Sequence, residues 1–209
     1  MYKNLKNCLM IIIFCFVCSV GTAFADIEEV GYTTKTYDVD VEIAENYVFH
    51  FTETIAVDFQ QERHGIYRYI TKDASSYEIK NIQVEDHKYN VNDKETCVIE
   101  IGDEDVLVKG AQTYSFSYDI VGFKDRDSQS DVLYLDVLPT DWETPINDVN
   151  IVVHFPKKIE QDNFNLLVGQ YGANGETEKC EYNFSNDGLT LEIKANGLPQ
   201  GTGITISAE

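Results

Sequence analysis

The residues of this 209-residue chain that could do chemistry are few: four histidines, two cysteines outside the N-terminal leader, one run of aspartates and one arginine–tyrosine stretch. That stretch is Arg63-His64-Gly65-Ile66-Tyr67-Arg68-Tyr69-Ile70, set in an otherwise acidic sequence. Its chemistry is charge pairing. Just upstream, the odd positions Tyr47, Phe49, Phe51, Glu53, Ile55, Val57 and Phe59 make an apolar row broken only by Glu53. A lone carboxylate in such a row must find a cation or take up a proton. Arg68 is the matching misfit, because it alternates with Ile66 and Ile70 and faces away from Tyr67 and Tyr69. A guanidinium fork grips a carboxylate at two points. The pattern predicts a buried or half-buried Glu53–Arg68 pair, with Arg63 as the other possible donor. The competing arrangement is a β-bulge that turns Glu53 out to solvent.

The remaining constellations are weaker. His50, His64, His87 and His154 are scattered, with no His-Glu-x-x-His spacing, and His50 and His154 fall on presumed solvent faces. There is no Gly-x-Ser-x-Gly elbow and no P-loop. Carboxylates are so abundant that a glycosidase-like pair can be chosen anywhere. No catalytic residue and no cofactor is assigned, and the expectation is a non-enzyme. Asp125, Asp127 and Asp131 have the oxygen spacing of the first positions of a calcium loop, but the glycine at the sixth position and the closing glutamate are missing. They are weak calcium candidates against a solvated turn. Leu198-Pro199-Gln200-Gly201-Thr202-Gly203 nearly spells a sortase motif, which Gly201 interrupts, and reads as a turn. Trp142 and the tyrosines either stack on sugars or fill a core.

Cys97 and Cys180 can form one disulfide if the chain is exported. They can equally be buried small hydrophobes, because Cys97 shares a face with Ile99 and Ile101, and Cys180 with Tyr182 and Phe184.

The elements that must position these residues begin after the leader. Lys3 and Lys6, the apolar run Leu9 to Val20 and the small-x-small site Ala23-Phe24-Ala25 read as a signal peptide over residues 1–25, cut after Ala25. The run is too short to span a bilayer comfortably. Cys8, Cys15 and Cys18 leave with it, and Cys18 lacks a lipoprotein context. Residues 26–209 then form a single extracytoplasmic domain. The net charge of −20 repels phosphate backbones and anionic headgroups, which argues against nucleic-acid binding.

Within that domain the dominant period is two. Tyr37, Val39, Val41 and Ile43 alternate with acids, as do Tyr114, Phe116, Tyr118 and Ile120 with polar residues. Ile79, Ile82 and Val84 break the alternation once, which predicts a bulge. Thr96 to Ile101 is a strand, and after the turn at Gly102 to Asp105, Val106 to Val108 is expected to return as its partner. Asn186-Asp187-Gly188 joins a hairpin. No long amphipathic helix is visible. Ten or eleven strands with no repeat of fixed period predict an all-β fold, an antiparallel two-sheet sandwich.

Three features together carry a family resemblance. They are Phe51-Thr52-Glu53-Thr54-Ile55 followed by Gly65-Ile66-Tyr67-Arg68; Tyr114 to Gly122 followed by Asp131-Val132-Leu133-Tyr134; and Trp142, Pro145 and Ile146 leading into a strand that ends at Pro156. The chain resembles the bacterial domain of unknown function 2207 family, predicted membrane proteins with an N-terminal extracytoplasmic β domain. The resemblance implies a signal peptide, this domain, and then membrane helices. It implies no catalytic residue and no cofactor. The sequence ends straight after a strand at Ala208-Glu209, so it is expected to be a truncated reading frame or a secreted variant, attached to a membrane only through a segment it lacks. The functional expectation is a non-catalytic interaction or sensory module whose partner is an envelope protein or a cell-wall component. The alternative is a lectin-like glycan-binding module, with Trp142 and tyrosines lining an open groove.

Overall fold

Alternation becomes burial wherever a strand has one dry face. The computed structural model describes residues 30–72, 77–122, 132–170, 180–185 and 187–208. The expected signal peptide with its cleavage point after Ala25, and the calcium candidates Asp125, Asp127 and Asp131, lie outside the described residues.

Thirteen strands are formed among them: β1 (Tyr32–Ile43), β2 (Val48–Arg63), β3 (Gly65–Thr71), β4 (Glu78–Val84), β5 (Tyr89–Asp93), β6 (Thr96–Gly102), β7 (Val108–Val121), β8 (Leu133–Leu138), β9 (Ile146–His154), β10 (Phe164–Gly169), β11 (Cys180–Phe184), β12 (Thr190–Leu198) and β13 (Gly203–Ala208). A single 3-10 turn precedes β10. The strands build a seven-stranded sheet in the order β11-β12-β9-β1-β2-β7-β4 and two three-stranded sheets, β10-β13-β8 and β3-β6-β5.

The all-β expectation holds, but the clean two-sheet antiparallel sandwich does not. Pairing of β1 with β9 is parallel, Thr34 opposite Ile146 through Glu42 opposite His154. The large sheet is therefore mixed. What would be a second sheet is split in two. Parallel pairing between strands so far apart in sequence has no turn to announce it, which is why local patterning misses it. Strand number is also higher than the ten or eleven expected.

One apolar cluster joins all three sheets. Tyr37, Val39 and Val41 of β1, Phe51 and Ile55 of β2, Tyr114 and Phe116 of β7, and Ile151 and Val153 of β9 are buried, while their alternating neighbours are wetter. The β2 row starts at Phe49, since Tyr47 sits in the preceding turn with φ 61° and is exposed. The bulge expected in β4 is present, as a register shift between Lys80 and Gln83 with Asn81 at φ 52°. The β11–β12 hairpin forms, and Pro199 to Thr202 is a turn. The return of Val106 to Val108 onto β6 does not occur. Both edges of β6 are already taken by β3 and β5, and Val108 instead opens β7, opposite Arg63.

The registers also define two ends. Tyr32, Phe59, Ile146 and Leu198 share one end of the large sheet; Ile43, His154 and Phe184 lie toward the other. Ala208, the last described residue, pairs with Phe164, whose ring meets Phe184 edge-on at 5.0 Å. The chain thus leaves from the end opposite Tyr32 and Phe59.

Candidate functional site

The Arg63–Ile70 stretch sends its side chains to two different places. β2 rises to Arg63, the backbone reverses at His64, and β3 descends over the inner face of the large sheet. Gly65 makes the reversal possible. Its φ is +146°, and a Cβ there would lie 1.9 Å from the Ile101 carbonyl oxygen. Gly102, its register partner, has φ +143° and faces the His64 carbonyl in the same way, with 1.8 Å to a virtual Cβ. Only glycine accepts this mutual approach.

Below the reversal, Arg68 meets Glu53. Arg68 Nε donates to Glu53 Oε2 at 2.9 Å, and its second nitrogen, Nη2, donates to Oε1 at 3.0 Å. Tyr37 and Tyr118 hydroxyls complete the carboxylate, donating to Oε2 at 2.5 Å and Oε1 at 2.6 Å. Four donors surround one buried anion, so its lone pairs are filled. Glu53 is 1% exposed and Arg68 6%. Burial alone would drive the guanidinium toward its neutral form. Glu53, Tyr37 and Tyr118 more than reverse this and hold Arg68 well above its ordinary value. Burial, with the negative charge of Glu53 added, pushes the Tyr118 hydroxyl well up; for Tyr37 burial again leads.

The pair predicted from sequence is thus brought together, with Arg68 rather than Arg63 as donor. Tyr37 and Tyr118 are the partners that sequence reasoning missed. Their signal was available: each is a phenol on an apolar row, and a buried phenol needs an acceptor. Arg68 Nη1 lies 4.0 Å from Asp141 Oδ1, in the connection between β8 and β9. Desolvation raises the Asp141 carboxyl, and the nearby Arg68 opposes that. Next to it, Trp142 is buried, its Nε1 donating to Thr34 Oγ1 at 2.9 Å and its ring edge-on to Tyr37 at 5.2 Å. Of the two readings open for Trp142, core filling holds, and the groove-lining tryptophan of the lectin-like alternative does not.

Above the reversal lies an open cleft of about 650 Å³. Its walls come from the end of β2, the starts of β3 and β5, the end of β6 and the turn after it. Tyr67 and Tyr89 line it and are exposed. Glu62, Glu100, Asp103, Glu104 and Asp105 also line it, together with Arg63, Lys88 and His64. The cations are committed internally. Arg63 donates to the Val30 carbonyl oxygen and stands 5.3 Å over the Tyr32 ring. Lys88 bonds Asp103 at 2.7 Å, which lowers the Asp103 carboxyl. His64 Nδ1 reaches the carbonyl oxygens of Asp103 at 3.2 Å and Val106 at 3.1 Å. Two carbonyl acceptors require the proton on Nδ1, leaving Nε2 as an acceptor in the neutral ring. This pins the turn that carries exposed Val106 and Leu107. Sequence reasoning did not find this cleft, because its walls are brought together only by the pairing of β3, β5 and β6.

The other candidates are placed apart. Cys97 is buried in β6 and Cys180 half-buried in β11, at the edge of the large sheet, and both are free thiols. Of the two readings open for them, the disulfide is not formed and each sulfur serves its own sheet. Burial pushes both thiols up to about 11. His50 and His154 lie on the wet face, paired with Asp119 at 2.6 Å and Asp40 at 3.4 Å. Among the described residues no three His, Cys, Asp or Glu side chains are grouped to hold a metal ion. Nor does any described helix have the length and apolarity to cross a membrane.

The model of the predicted membrane protein (DUF2207) N-terminal domain matches residues 33–209. The chain belongs to the DUF2207 family. Comparison of this DUF2207 domain with curated proteins finds no match. Among solved structures it is similar to an M1 zinc metallopeptidase from Deinococcus radiodurans, at 9% identity and TM-score 0.43, covering 84% of this chain and 42% of that one. It is similar to leukotriene A4 hydrolase from Saccharomyces cerevisiae at 6% identity and TM-score 0.47, covering 86% and 29%. A putative protease from Parabacteroides distasonis gives 11% identity and TM-score 0.45, covering 86% and 41%. The DUF2207 domain spans less than half the length of each, and no activity is carried over from them.

Proposed function

We propose that this DUF2207 domain is a non-catalytic interaction module of a cell-envelope protein, held outside the cytoplasm, with the cleft as its recognition site. The observation that carries the proposal is a group of four exposed apolar or aromatic side chains in and beside the cleft. Tyr67 and Tyr89 line the cleft, and Val106 and Leu107 stand on the turn that His64 pins beside it. Solvent-facing apolar groups gathered around a concavity mark contact surfaces. The position supports the same reading. The cleft lies at the Tyr32–Phe59 end, whereas Ala208 lies at the other. A membrane segment following this N-terminal domain would leave the cleft facing away from the bilayer.

The lectin-like alternative depended on Trp142 lining an open groove. With Trp142 buried, only the tyrosines support it. The test is capture of envelope material by the immobilised chain. Wild type should retain a component that the Tyr67→Ser/Leu107→Ser variant does not. Equal retention by a variant with native melting behaviour would remove the cleft from the interaction.

A further inference from the structure

Resting on the interaction reading above, we propose that the cleft takes a basic, extended polypeptide segment of a protein partner, with lysine or arginine side chains alternating with apolar ones. The cleft is a concavity with two exposed tyrosines in its walls, and its charge balance selects the ligand. Among the described residues, Glu62, Glu104 and Asp105 form no close ion pair, although the charge of Glu104 acts on Lys88, while Arg63 and Lys88 are occupied by Val30, Tyr32 and Asp103. An entering cation displaces nothing. It finds carboxylates on the rim and the exposed face of Tyr67, whose ring lies 6.3 Å from that of Tyr69. Lysine and arginine heads are attracted both to carboxylates and to tyrosine faces.

The adjacent Val106–Leu107 pair decides between partner classes. An anionic lipid surface would be repelled by Glu104 and Asp105 on the same turn. A neutral glycan would leave the carboxylates unmatched and gain little from two aliphatic side chains. A polypeptide supplies both kinds of group, cations for the acids and apolar side chains for Val106 and Leu107. The cleft is open, with about 650 Å³ of space, so a segment can lie along it without being enclosed.

The test is fluorescence anisotropy of the purified full chain with a labelled Lys-Leu-Lys-Leu-Lys peptide, a Glu-Leu-Glu-Leu-Glu control and soluble cell-wall glycan fragments. The lysine peptide should bind and the glutamate peptide should not, and binding should weaken with salt. The triple variant Glu62→Gln/Glu104→Gln/Asp105→Asn, all at exposed positions, should bind about tenfold more weakly. Tyr67→Ala should lose about threefold. The Asp40→Asn/Glu42→Gln variant, two strand positions on β1 far from the cleft, should match wild type. Binding unchanged in the triple variant, equal binding of both peptides, or binding of glycan alone would overturn the proposal. If no peptide binds but Tyr67→Ser/Leu107→Ser still abolishes envelope capture, the partner chemistry is wrong and the interaction reading stands. If capture also survives that variant, both fail.

Discussion

Arg63 and Arg68 are five positions apart on one continuous turn of chain, yet they live in opposite worlds. Arg68 is sealed between sheets, gripped by a carboxylate that two phenols also bind. Arg63 edges a wet cleft and holds only a backbone carbonyl and a ring face. The difference teaches what each region can be for. A buried charge with every lone pair filled has no valence left for a ligand, and breaking it leaves an uncompensated ion in the dry interior. An open set of carboxylates costs the fold little and keeps its valence for a partner. The tetrad of Glu53, Arg68, Tyr37 and Tyr118 therefore reads as the lock between the large sheet and the β3-β6-β5 sheet, and the cleft as the surface that acts.

This division can be broken by mutation, starting with the lock. Arg68→Met should cost about 3–5 kcal/mol, because Glu53 would stay buried without its cation. Urea unfolding measures it, and a loss below about 1 kcal/mol would mean the pair is not sealed as described. Gly65→Ala should follow at about 3 kcal/mol, the penalty of forcing a side chain onto a backbone carbonyl at positive φ. This variant alone should damage both regions, since Gly65 ends the cleft wall and begins the strand that carries Arg68. Tyr118→Phe should lose about 2 kcal/mol, one donor to an ionised acceptor.

A pH series sharpens the contrast further. In the unfolded chain tyrosines ionise near pH 10. In the fold, burial raises Tyr114 to about 12 and pushes Tyr37 and Tyr118 well up. Above pH 10 the unfolded state releases these protons first, so it gains relative to the native state. Stability should be intact below pH 10 and fall as pH climbs toward about 12. A urea midpoint flat across that window would contradict the burial of these phenols. The smallest effect is expected at the cleft. Glu62→Gln, Glu104→Gln and Asp105→Asn should each move stability by less than about 0.5 kcal/mol, whatever they do to binding.

How much of this was legible beforehand varies by residue. Glu53 and Arg68 announced themselves because each is a charge on an apolar row with period two, and one row faces the other through a single reversal. Tyr37 and Tyr118 were visible as core residues but not as donors, since a phenol can satisfy itself in many ways until its neighbour across the sheet is known. Cys97 and Cys180 were ambiguous in sequence, and only their placement on separate sheets resolved them as free thiols. Trp142 was equally ambiguous, and its hydrogen bond to Thr34 settled it as core.

The sequence by itself determined the all-β class, the inward rows and the β4 bulge, and it marked Glu53 and Arg68 as misfit charges, because each follows from side-chain alternation along one strand; that the two pair with each other was decided by the fold. Tertiary structure decided the rest: the parallel β1–β9 pairing, the division of the second layer into two small sheets, and the cleft. These depend on which distant strands become neighbours. That choice is made by the summed burial of whole faces and by the edges that earlier pairings leave open, and no single segment carries that information.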